Sequence, residues 1–411
     1  MTFKALLAAK TDGKITTSVV DMNEQDLMLG DVTVAVDYST VNYKDALAIS
    51  GRTEVIRQFP LIPGIDLAGT VEASSYPAIA VGDRVVANSW GLSQTHHGGY
   101  AQKARLKGEW LVKIPAPFST KDAMAIGTAG YTAMLSVLAL EHGGITPQRG
   151  DILVTGANGG VGSIVIALLA DLGYRVVAST GRVEEADYLR SLGAADVIDR
   201  RTLSEPGAPI ARERWAGAVD SVGSHTLVNV LAQTQYRGVV TACGLAQGVD
   251  LPGTVLPFIL RNVTLAGIDS VNTPQEARLE AWSRLARDLD VNKLARTMQV
   301  VGLAEIPDVV RQILAGKVQG RTVVDMPSCA ATGLAWRRLD EDPTARQQDT
   351  KTLLESILCQ FWRSMSARGT STRKAMVNSA SQVRTKASAS HHFSAHGRST
   401  TSNAQVDLCC R

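Results

Sequence analysis

Between Ile152 and Arg182 the pattern of hydrophobic and polar positions changes twice. The apolar run from Ile152 to Val154 has the length of a buried strand and leads into a glycine-rich turn. The next segment, SIVIALLADLGY, has apolar residues at helical spacing and ends at Gly173, and RVVAST follows as a second strand. Strand, glycine turn, helix and strand within about 30 residues predict a βαβ unit.

The same pattern of hydrophobic and polar positions divides the chain before Met326 into a β-rich region and a region of alternating strands and helices. Residues 1–120 contain short strands such as DVTVAVDYS, DLAGTVEAS and GDRVVANS with few helical runs, which predicts a barrel-like or sandwich region. From about Lys121 strands and helices alternate, a pattern typical of a doubly wound parallel sheet. One segment there, KDAMAIGTAGYTAMLSVLALEHGG, predicts two helical stretches separated at GTAG, and a later amphipathic helix begins just after Pro274.

The chain changes character after Met326. Its last part is rich in Ser, Thr, Arg and Lys without a clear apolar period, which predicts disorder over residues 327–411. This tail contains 12 Lys and Arg against 6 Asp and Glu, whereas residues 1–326 contain 30 against 33. A binding protein that contacts nucleic acid or acidic lipid through the tail is therefore an alternative, but the tail lacks interleaved aromatic residues. We expect no nucleic-acid partner.

Several features indicate the compartment. No apolar run reaches about 18 residues, and the apolar part of the N-terminal segment is too short for a secretory signal, so we expect no membrane association. Of five cysteines only Cys243 precedes residue 327. That distribution is not a disulfide framework and suits a reducing compartment, so the chain is predicted to be cytoplasmic.

The glycine turn predicts a dinucleotide site. Glycines in such a turn allow a tight bend, close approach of the backbone to a pyrophosphate, and packing of helix on strand, while the helix N-terminus attracts phosphate. A tight turn in an ordinary α/β domain is the alternative. The cofactor contacts predicted in this turn are Asn158, Gly159, Gly160, Val161 and Gly162.

The end of the second strand favours NADPH over NADH. An acidic residue there would bind the ribose 2′-OH of NAD, but no Asp or Glu occurs from Arg175 to Arg182. Ser179, Thr180 and Arg182 instead suit a phosphate dianion, which a guanidinium binds bidentately. A solvated loop charge is the alternative for Arg182. The contacts predicted here are Thr180, Gly181, Arg182 and, after the strand ADVID, Arg200.

Residues 1 to about 325 resemble the zinc-free branch of the medium-chain dehydrogenase/reductase superfamily, the YhdH/YhfP-type quinone oxidoreductases or acrylyl-CoA reductases. The resemblance implies an α/β fold with a GroES-like β-barrel catalytic domain (1–120 and 271–326) interrupted by a Rossmann domain with a doubly wound parallel sheet (121–270). It also implies an NADPH-dependent reductase, commonly a homodimer. The segments that carry it are VNYKDALAISG, FPLIPGIDLAGTV, HHGGYAQKARLKGEWLVKIP, AIGTAGYTAM, VTGANGGVGS, WAGAVDSVG, ACGLA, LPFILRNVTLAGIDSV and QGRTVVD.

The resemblance also implies site residues. It places Tyr43 at the nicotinamide, with Asn42 beside it as a second polar group, and both are candidate catalytic residues. Thr128 in GTAG either faces the cofactor or caps a helix. Lys44 and Asp45 could form a local ion pair. The remaining cofactor contacts that it implies are Leu245, Ile259, Ser270 and Arg321.

No metal is expected. Metal-dependent relatives supply a Cys and a His-Glu pair at positions that here carry VNYKDA and PGIDLAG, and a single Cys before residue 327 excludes a four-cysteine zinc lobe in that part of the chain. His96 and His97 are adjacent and lack partners at ligand spacing. Asp66 is expected to be structural.

Reduction of an activated C=C suits a site without metal. The enolate oxygen that develops needs hydrogen-bond donors, and the α-carbon needs a proton. The leading hypothesis is reduction of acrylyl-CoA to propanoyl-CoA. Reduction of a quinone or of another α,β-unsaturated carbonyl is the alternative, with the same fold, cofactor and site.

Overall fold

The computed structural model describes residues 2–326. The strands in this part of the chain are β1 (Thr2–Thr11), β2 (Lys14–Asn23), β3 (Val32–Val41), β4 (Asp66–Ser74), β5 (Arg84–Asn88), β6 (Lys103–Leu106), β7 (Leu111–Lys113), β8 (Ile152–Val154), β9 (Val176–Thr180), β10 (Asp196–Asp199), β11 (Trp215–Asp220), β12 (Thr234–Ala242), β13 (Thr264–Gly267), β14 (Met298–Gly302) and β15 (Arg321–Asp325). They form two large sheets and one antiparallel hairpin of β1 and β2. The first large sheet has seven strands in the order β14-β15-β3-β4-β5-β7, with β6 paired to β3 off this path.

The second sheet has six strands, all parallel, in the order β10-β9-β8-β11-β12-β13. Counted within this sheet the order is 3-2-1-4-5-6, the doubly wound arrangement in which ligands bind beyond the carboxyl ends of the strands. The helices are α1 (Tyr43–Ser50), α2 (Thr120–His142), α3 (Gly160–Asp171), α4 (Ala186–Leu192), α5 (Arg201–Ser204), α6 (Ser224–Ala232), α7 (Leu256–Arg261), α8 (Gln275–Asp288), α9 (Val291–Arg296) and α10 (Ile306–Leu314).

The predicted α/β class, barrel-like first region and Rossmann sheet are confirmed. The β-rich first region forms because its strands alternate apolar and polar residues, as in β3, and glycines separate them. Toward the end of the described residues the chain returns to this region, where β15 pairs antiparallel with β3 and parallel with β14.

Helix α2 joins the two sheets. It bends at Gly127, whose φ of 49° is outside the helical range, so the predicted separation at GTAG is present as a kink within one helix. The helix is long and apolar enough to cross a membrane by length and composition, but 83% of its most apolar window is buried inside the fold. It is a core helix here.

The predicted boundary near residue 270, where the chain would pass from the Rossmann domain back to the catalytic domain, stays a prediction. Helix α8 follows it and packs against α2, with Trp282 and Leu285 in the same hydrophobic core as the parallel sheet. The strands that complete the barrel sheet come only with β14 and β15. The predicted tail, 327–411, lies outside the described residues.

Candidate active site

The turn from Gly156 to Gly162 joins β8 to α3. Gly156 has a φ of +59°, and a Cβ on Gly162 would lie 2.5 Å from the Gly156 carbonyl oxygen, so the tight turn excludes side chains at both positions. Gly159 is the N-cap of α3, and no side chain among residues 2–326 caps this helix end. The first N–H groups of α3 can therefore receive an anionic ligand, which the positive end of a helix attracts.

The end of β9 lies beside this turn. Thr180 Oγ1 bonds to Asn158 Oδ1 and also accepts the Arg182 N–H at 3.0 Å. A Cβ on Gly181 would lie 2.6 Å from Nε of Arg200, so the Arg200 side chain rests against Gly181. These predicted cofactor residues are thus gathered at one edge of the parallel sheet, and their roles stay predictions.

Three nitrogens of the Arg182 guanidinium have protein partners. Nη1 donates to the Gly316 carbonyl at 2.7 Å, and Nη2 donates to the Val318 carbonyl at 3.1 Å. Nε lies 3.2 Å from Glu185 Oε2, which also accepts Asn158 Nδ2 at 2.5 Å. Glu185 was missed in the sequence, although its spacing of three from Arg182 was a signal for an ion pair. We call Arg182, Glu185 and Arg200 the phosphate rim.

Helix α1 carries the two candidate catalytic residues. Asn42 is its N-cap and is 8% exposed, with Nδ2 donating to Asp45 Oδ2 at 3.1 Å and to Asp66 Oδ2 at 2.7 Å. Tyr43, the first residue of the helix, is 44% exposed. Its side chain is therefore accessible to a ligand, whereas the Asn42 amide is held by carboxylates.

Asp66 lies at the centre of a buried polar network. It accepts Nδ2 of Asn42 and Nδ2 of Asn88, each at 2.7 Å. It also accepts the Thr128 N–H at 2.9 Å and the Thr128 hydroxyl at 2.6 Å. Because Thr128 follows the kink at Gly127, Asp66 satisfies the N-terminus of the second part of α2. The carboxylate has the structural role expected for it, and the Thr128 hydroxyl is used in holding it.

Arg321 connects this network to the glycine turn. It is 3% exposed and begins β15. Its Nε donates to the Ala125 carbonyl at 3.0 Å, and Nη2 donates to Thr40 Oγ1 at 2.8 Å. A Cβ on Gly160 would lie 2.8 Å from Nη1 of Arg321. One side chain thus contacts the barrel, α2 and the start of α3.

Burial dominates the electrostatics of the network. Asp45 accepts the N–H groups of Asn42 and Ile65, each at 2.9 Å. Burial, and then the charge of Asp66, raises the pKa of Asp45 to about 7. Burial lowers the pKa of Arg321, which the nearby Asp66 and Asp45 oppose, and a guanidinium remains charged. We call Asp45, Asp66 and Arg321 the carboxylate cluster.

Lys44 does not pair with Asp45 as the sequence suggested. Within residues 2–326 the pair makes no ion-pair contact, because both Asp45 oxygens face the Asn42 and Ile65 donors. Lys44 is half-buried, and burial lowers its pKa against the charges of Asp45 and Asp269.

The remaining predicted cofactor contacts, two apolar residues and one serine, lie farther along the Rossmann sheet. Leu245, in the loop after β12, is 50% exposed, and Ile259 on α7 is 67% exposed. Ser270 is half-buried after β13. Leu245 and Ser270 follow the carboxyl ends of neighbouring parallel strands, where a nucleotide crevice is expected. Their contacts with a cofactor stay predictions.

Arg278 is a buried cation that the sequence did not reveal. Its guanidinium carbon lies 4.4 Å from the Trp90 ring centroid and 4.8 Å from that of Tyr131, and Nη1 donates to the Asn88 carbonyl at 3.0 Å. Aromatic faces stabilise such a cation, and they do so here from segments far apart in the chain.

His96 and His97 make contacts within the first region of the chain. His96 Nδ1 lies 3.0 Å from the His97 carbonyl oxygen, and its ring meets Trp110 edge-on. His97 Nδ1 accepts the Ile62 N–H at 3.2 Å. No group of three or more His, Cys, Asp or Glu within residues 2–326 could hold a metal ion.

The fold and this site define a class. The profile of the family described as "Alcohol dehydrogenase GroES-like domain" matches residues 29–116, and that described as "Zinc-binding dehydrogenase" matches residues 160–287. The chain belongs to the medium-chain dehydrogenase/reductase superfamily, in its zinc-free YhdH/AcuI branch. The predicted family and oxidoreductase class are confirmed.

Particular relatives narrow the comparison. The chain is 50% identical over 327 residues to the acrylyl-CoA reductase AcuI of Ruegeria pomeroyi, covering 79% of this chain and 99% of that protein. The crystal structure of the yhdH oxidoreductase from Salmonella enterica in complex with NADP is similar with a TM-score of 0.77 at 51% identity, covering 78% of this chain and 99% of that one. Bacillus subtilis yhfP with NAD bound has the same TM-score at 44% identity, covering 79% and 99%.

Proposed function

We propose that this chain is an NADPH-dependent reductase of an activated C=C, with acrylyl-CoA as substrate and propanoyl-CoA as product. The observation that carries the proposal is the position of Arg321. Its guanidinium lies against Gly160 of the glycine turn and bonds Thr40, two residues before Asn42. The nucleotide turn and the helix that carries Tyr43 therefore converge on one place.

The residues present fit the cofactor. The uncapped start of α3 and the absence of a Cβ at Gly160 leave backbone N–H groups beside the Arg321 cation, which suits a pyrophosphate. Thr180, Gly181 and Arg200 lie together at the end of β9, where the 2′-phosphate of NADPH would be held. NADPH supplies the hydride when it is bound. The relative of known structure from Salmonella enterica, 51% identical, was crystallised with NADP.

Tyr43 is the candidate for the proton chemistry. Hydride addition at the β-carbon places negative charge on the thioester oxygen, and a phenol hydroxyl can donate to that oxygen or protonate the α-carbon. Tyr43 is accessible and lies on a helix whose N-terminus is anchored through Asn42 to Asp66. Asn42 acts as a positioning residue in this proposal, since its amide donates to carboxylates.

A quinone or a free α,β-unsaturated carbonyl is the second candidate, because it needs the same hydride and the same oxygen donor. We would follow NADPH loss with acrylyl-CoA and 1,4-benzoquinone in parallel, with NADH as the cofactor control. Turnover of acrylyl-CoA with NADPH in preference to NADH is expected. Turnover of the quinone alone would reject the CoA ester, and no turnover with either would reject the reaction class.

We also propose a homodimer formed through the open edge of the Rossmann sheet. Strand β13 is the last strand of that sheet, and α7, which precedes it in the chain and packs on β12, exposes Ile259 and Leu260 at 67% and 60%. The outer edge of β13, which no strand within residues 2–326 covers, and the exposed apolar side chains of α7 suit pairing with a second copy. Light scattering should give twice the chain mass. Leu260→Glu should shift it toward the monomer, and Leu279→Glu, an exposed leucine on α8, should not.

We propose a cytoplasmic location and no nucleic-acid or membrane partner. Cys243, the cysteine among the described residues, is a free thiol, which suits a reducing compartment. Fractionation of cells with an antibody to the chain tests the location. Salt-dependent retention on DNA that disappears when residues 327–411 are deleted would contradict the expected lack of a nucleic-acid partner.

A further inference from the structure

Residues 316–320, which we call the return segment, are bonded to the nucleotide side of the Rossmann domain. Arg182 donates to the carbonyls of Gly316 and Val318 at 2.7 and 3.1 Å. The Gly320 N–H donates to the Asn158 carbonyl at 2.8 Å. Both anchors, Arg182 and Asn158, are residues that the sequence pattern assigned to the cofactor.

The return segment leads directly into Arg321. Gly320 has a φ of +63°, and a Cβ there would lie 2.0 Å from the Thr297 carbonyl oxygen, so the backbone has little freedom at this point. Arg321 follows and places Nη1 against Gly160. Displacement of the return segment would therefore move the cation that lies beside the glycine turn.

Three of the five N–H donors of Arg182 face protein partners, one of them a carboxylate, so Arg182 is less suited than an unbonded arginine to bind a phosphate dianion. Nη1 and Nη2 donate to carbonyl groups, and Nε faces the Glu185 carboxylate at 3.2 Å. A phosphate added on the Nε side would meet that carboxylate, and like charges at short range repel. The Arg182 side chain is 21% exposed.

Arg200, unlike Arg182, has guanidinium donors none of which is occupied by a protein group within residues 2–326. Its side chain rests against Gly181 and is exposed, and its guanidinium donates no hydrogen bond to any residue within 2–326. The adjacent Arg201 differs, because it pairs with Asp199. Of the two predicted phosphate ligands, Arg200 is thus the one whose donors remain available for a phosphate.

We propose that Arg182 is a positioning residue that fastens the return segment, and with it Arg321, to the glycine turn, while selectivity for the 2′-phosphate resides in Arg200. The inference rests on the proposed use of NADPH. It divides between two arginines a role that the sequence pattern assigned to both.

Binding of 2′,5′-ADP and AMP by calorimetry isolates the phosphate contact from catalysis. Arg200→Met should weaken 2′,5′-ADP binding by about tenfold to a hundredfold and change AMP binding by less than about twofold. Arg182→Met should leave the ratio of the two affinities within about twofold of the wild type. Arg201→Met is the matched control, and its ratio should also stay unchanged.

Arg182→Lys distinguishes charge from geometry. A lysine keeps the positive charge but cannot reproduce the fork that bonds two carbonyls. If Arg182 fastens the return segment, both Arg182→Lys and Arg182→Met should accelerate hydrogen exchange at the Gly320 amide, which donates to Asn158. Both variants should also lower kcat with NADPH and NADH by the same factor.

Two results would overturn the proposal. One is a collapse of the 2′,5′-ADP to AMP ratio in Arg182→Met with retention in Arg182→Lys, which would make Arg182 the phosphate ligand. The other is unchanged Gly320 exchange in both Arg182 variants. If the wild-type chain binds 2′,5′-ADP no better than AMP, both the role of Arg200 and the proposed preference for NADPH are rejected. The hydrogen-exchange experiment tests the role of Arg182 independently of which cofactor the chain prefers.

Discussion

The carboxylate cluster and the phosphate rim are both built from acidic residues and arginines, yet their environments differ. Asp45 and Asp66 are fully buried and Arg321 is 3% exposed. In the rim, the side chains of Arg182 and Glu185 are 21% and 29% exposed. The cluster satisfies its charges with many short bonds inside the protein, whereas the rim is partly exposed and its Arg200 guanidinium has no hydrogen-bond partner within residues 2–326.

This difference in burial indicates that the cluster holds the geometry of the site, whereas exposed groups of the rim can recognise a ligand. In a low-dielectric interior an unpaired polar group is costly, so the cluster's partners must all be present together. Water screens the charges of the rim, so single contacts there contribute less to folding, and the donors of Arg200 remain available to discriminate ligands. We expect substitutions in the cluster to act on stability, and substitutions of Arg200 and Glu185 in the rim to act on ligand binding.

Removing Asp66 should have the largest effect. Asp66→Ala removes the acceptor of Asn88 and Thr128, one of the two acceptors of the Asn42 amide, and one of the two carboxyl groups near Arg321. The free energy of unfolding should fall by about 3–5 kcal/mol, measured by urea denaturation. Asp21→Ala, which removes an exposed ion pair with Lys4, should cost less than about 1 kcal/mol. Equal losses for the two variants would contradict the comparison.

Tyr43→Phe should reduce catalysis without affecting the stability that the carboxylate cluster provides. The loss of a donor at the developing enolate should lower kcat by about a hundredfold. Because the side chain is 44% exposed, the free energy of unfolding should change by less than about 0.5 kcal/mol. Steady-state kinetics and urea denaturation check the two parts. An unchanged kcat would exclude Tyr43 as the donor.

Asp45 should make stability depend on pH. Its pKa rises from 3.8 to about 7 on folding, so between these values the folded protein keeps a proton that the unfolded chain has lost. The free energy of unfolding should therefore decrease with rising pH, by up to about 1.4 kcal/mol per pH unit, and level off above the folded pKa.

Asp45→Asn removes this titration. Relative to the wild type, the variant should gain stability as the pH rises through the window that ends at about 7. Urea denaturation of both proteins across that window measures the difference. Stability curves that run parallel would show that Asp45 does not carry the proton.

The smallest expected effect is a change in cofactor affinity caused by a substitution in the phosphate rim. Glu185→Gln removes a carboxylate from beside the Arg182 Nε and keeps an oxygen that can accept the Asn158 amide. NADPH should bind about two- to fivefold more tightly because a like charge is removed, with NADH binding unchanged. Fluorescence titration with both cofactors measures this. Equal tightening for both would place Glu185 away from the 2′-phosphate.

Local signals predicted much of this protein. The βαβ unit follows from an apolar run, closely spaced glycines and a helical period, and each depends on residues near in sequence. The kink at Gly127 and the start of α8 after Pro274 were visible for the same reason. Glu185 lies three residues after Arg182, a spacing that permits an ion pair but does not specify one.

Partners far apart in the chain were not predictable from one sequence. Arg321 bonds Thr40 across 281 positions, and Arg278 bonds Asn88 across 190. Such contacts depend on how sheets and helices pack, which hydrophobic periodicity constrains only coarsely. A buried arginine and an exposed one look alike in a sequence.

The sequence by itself determined the class of fold, the dinucleotide turn and the lack of an acidic residue at the end of β9, because these are set by backbone preferences and by residue chemistry over short spans. Only the tertiary structure decided which arginine is available to a ligand. Arg182 finds its carbonyl partners in a segment more than a hundred residues away, brought there when β15 returns to the barrel sheet. Hydrogen-bonding capacity is a property of a side chain, but its use depends on what the folded chain places within reach.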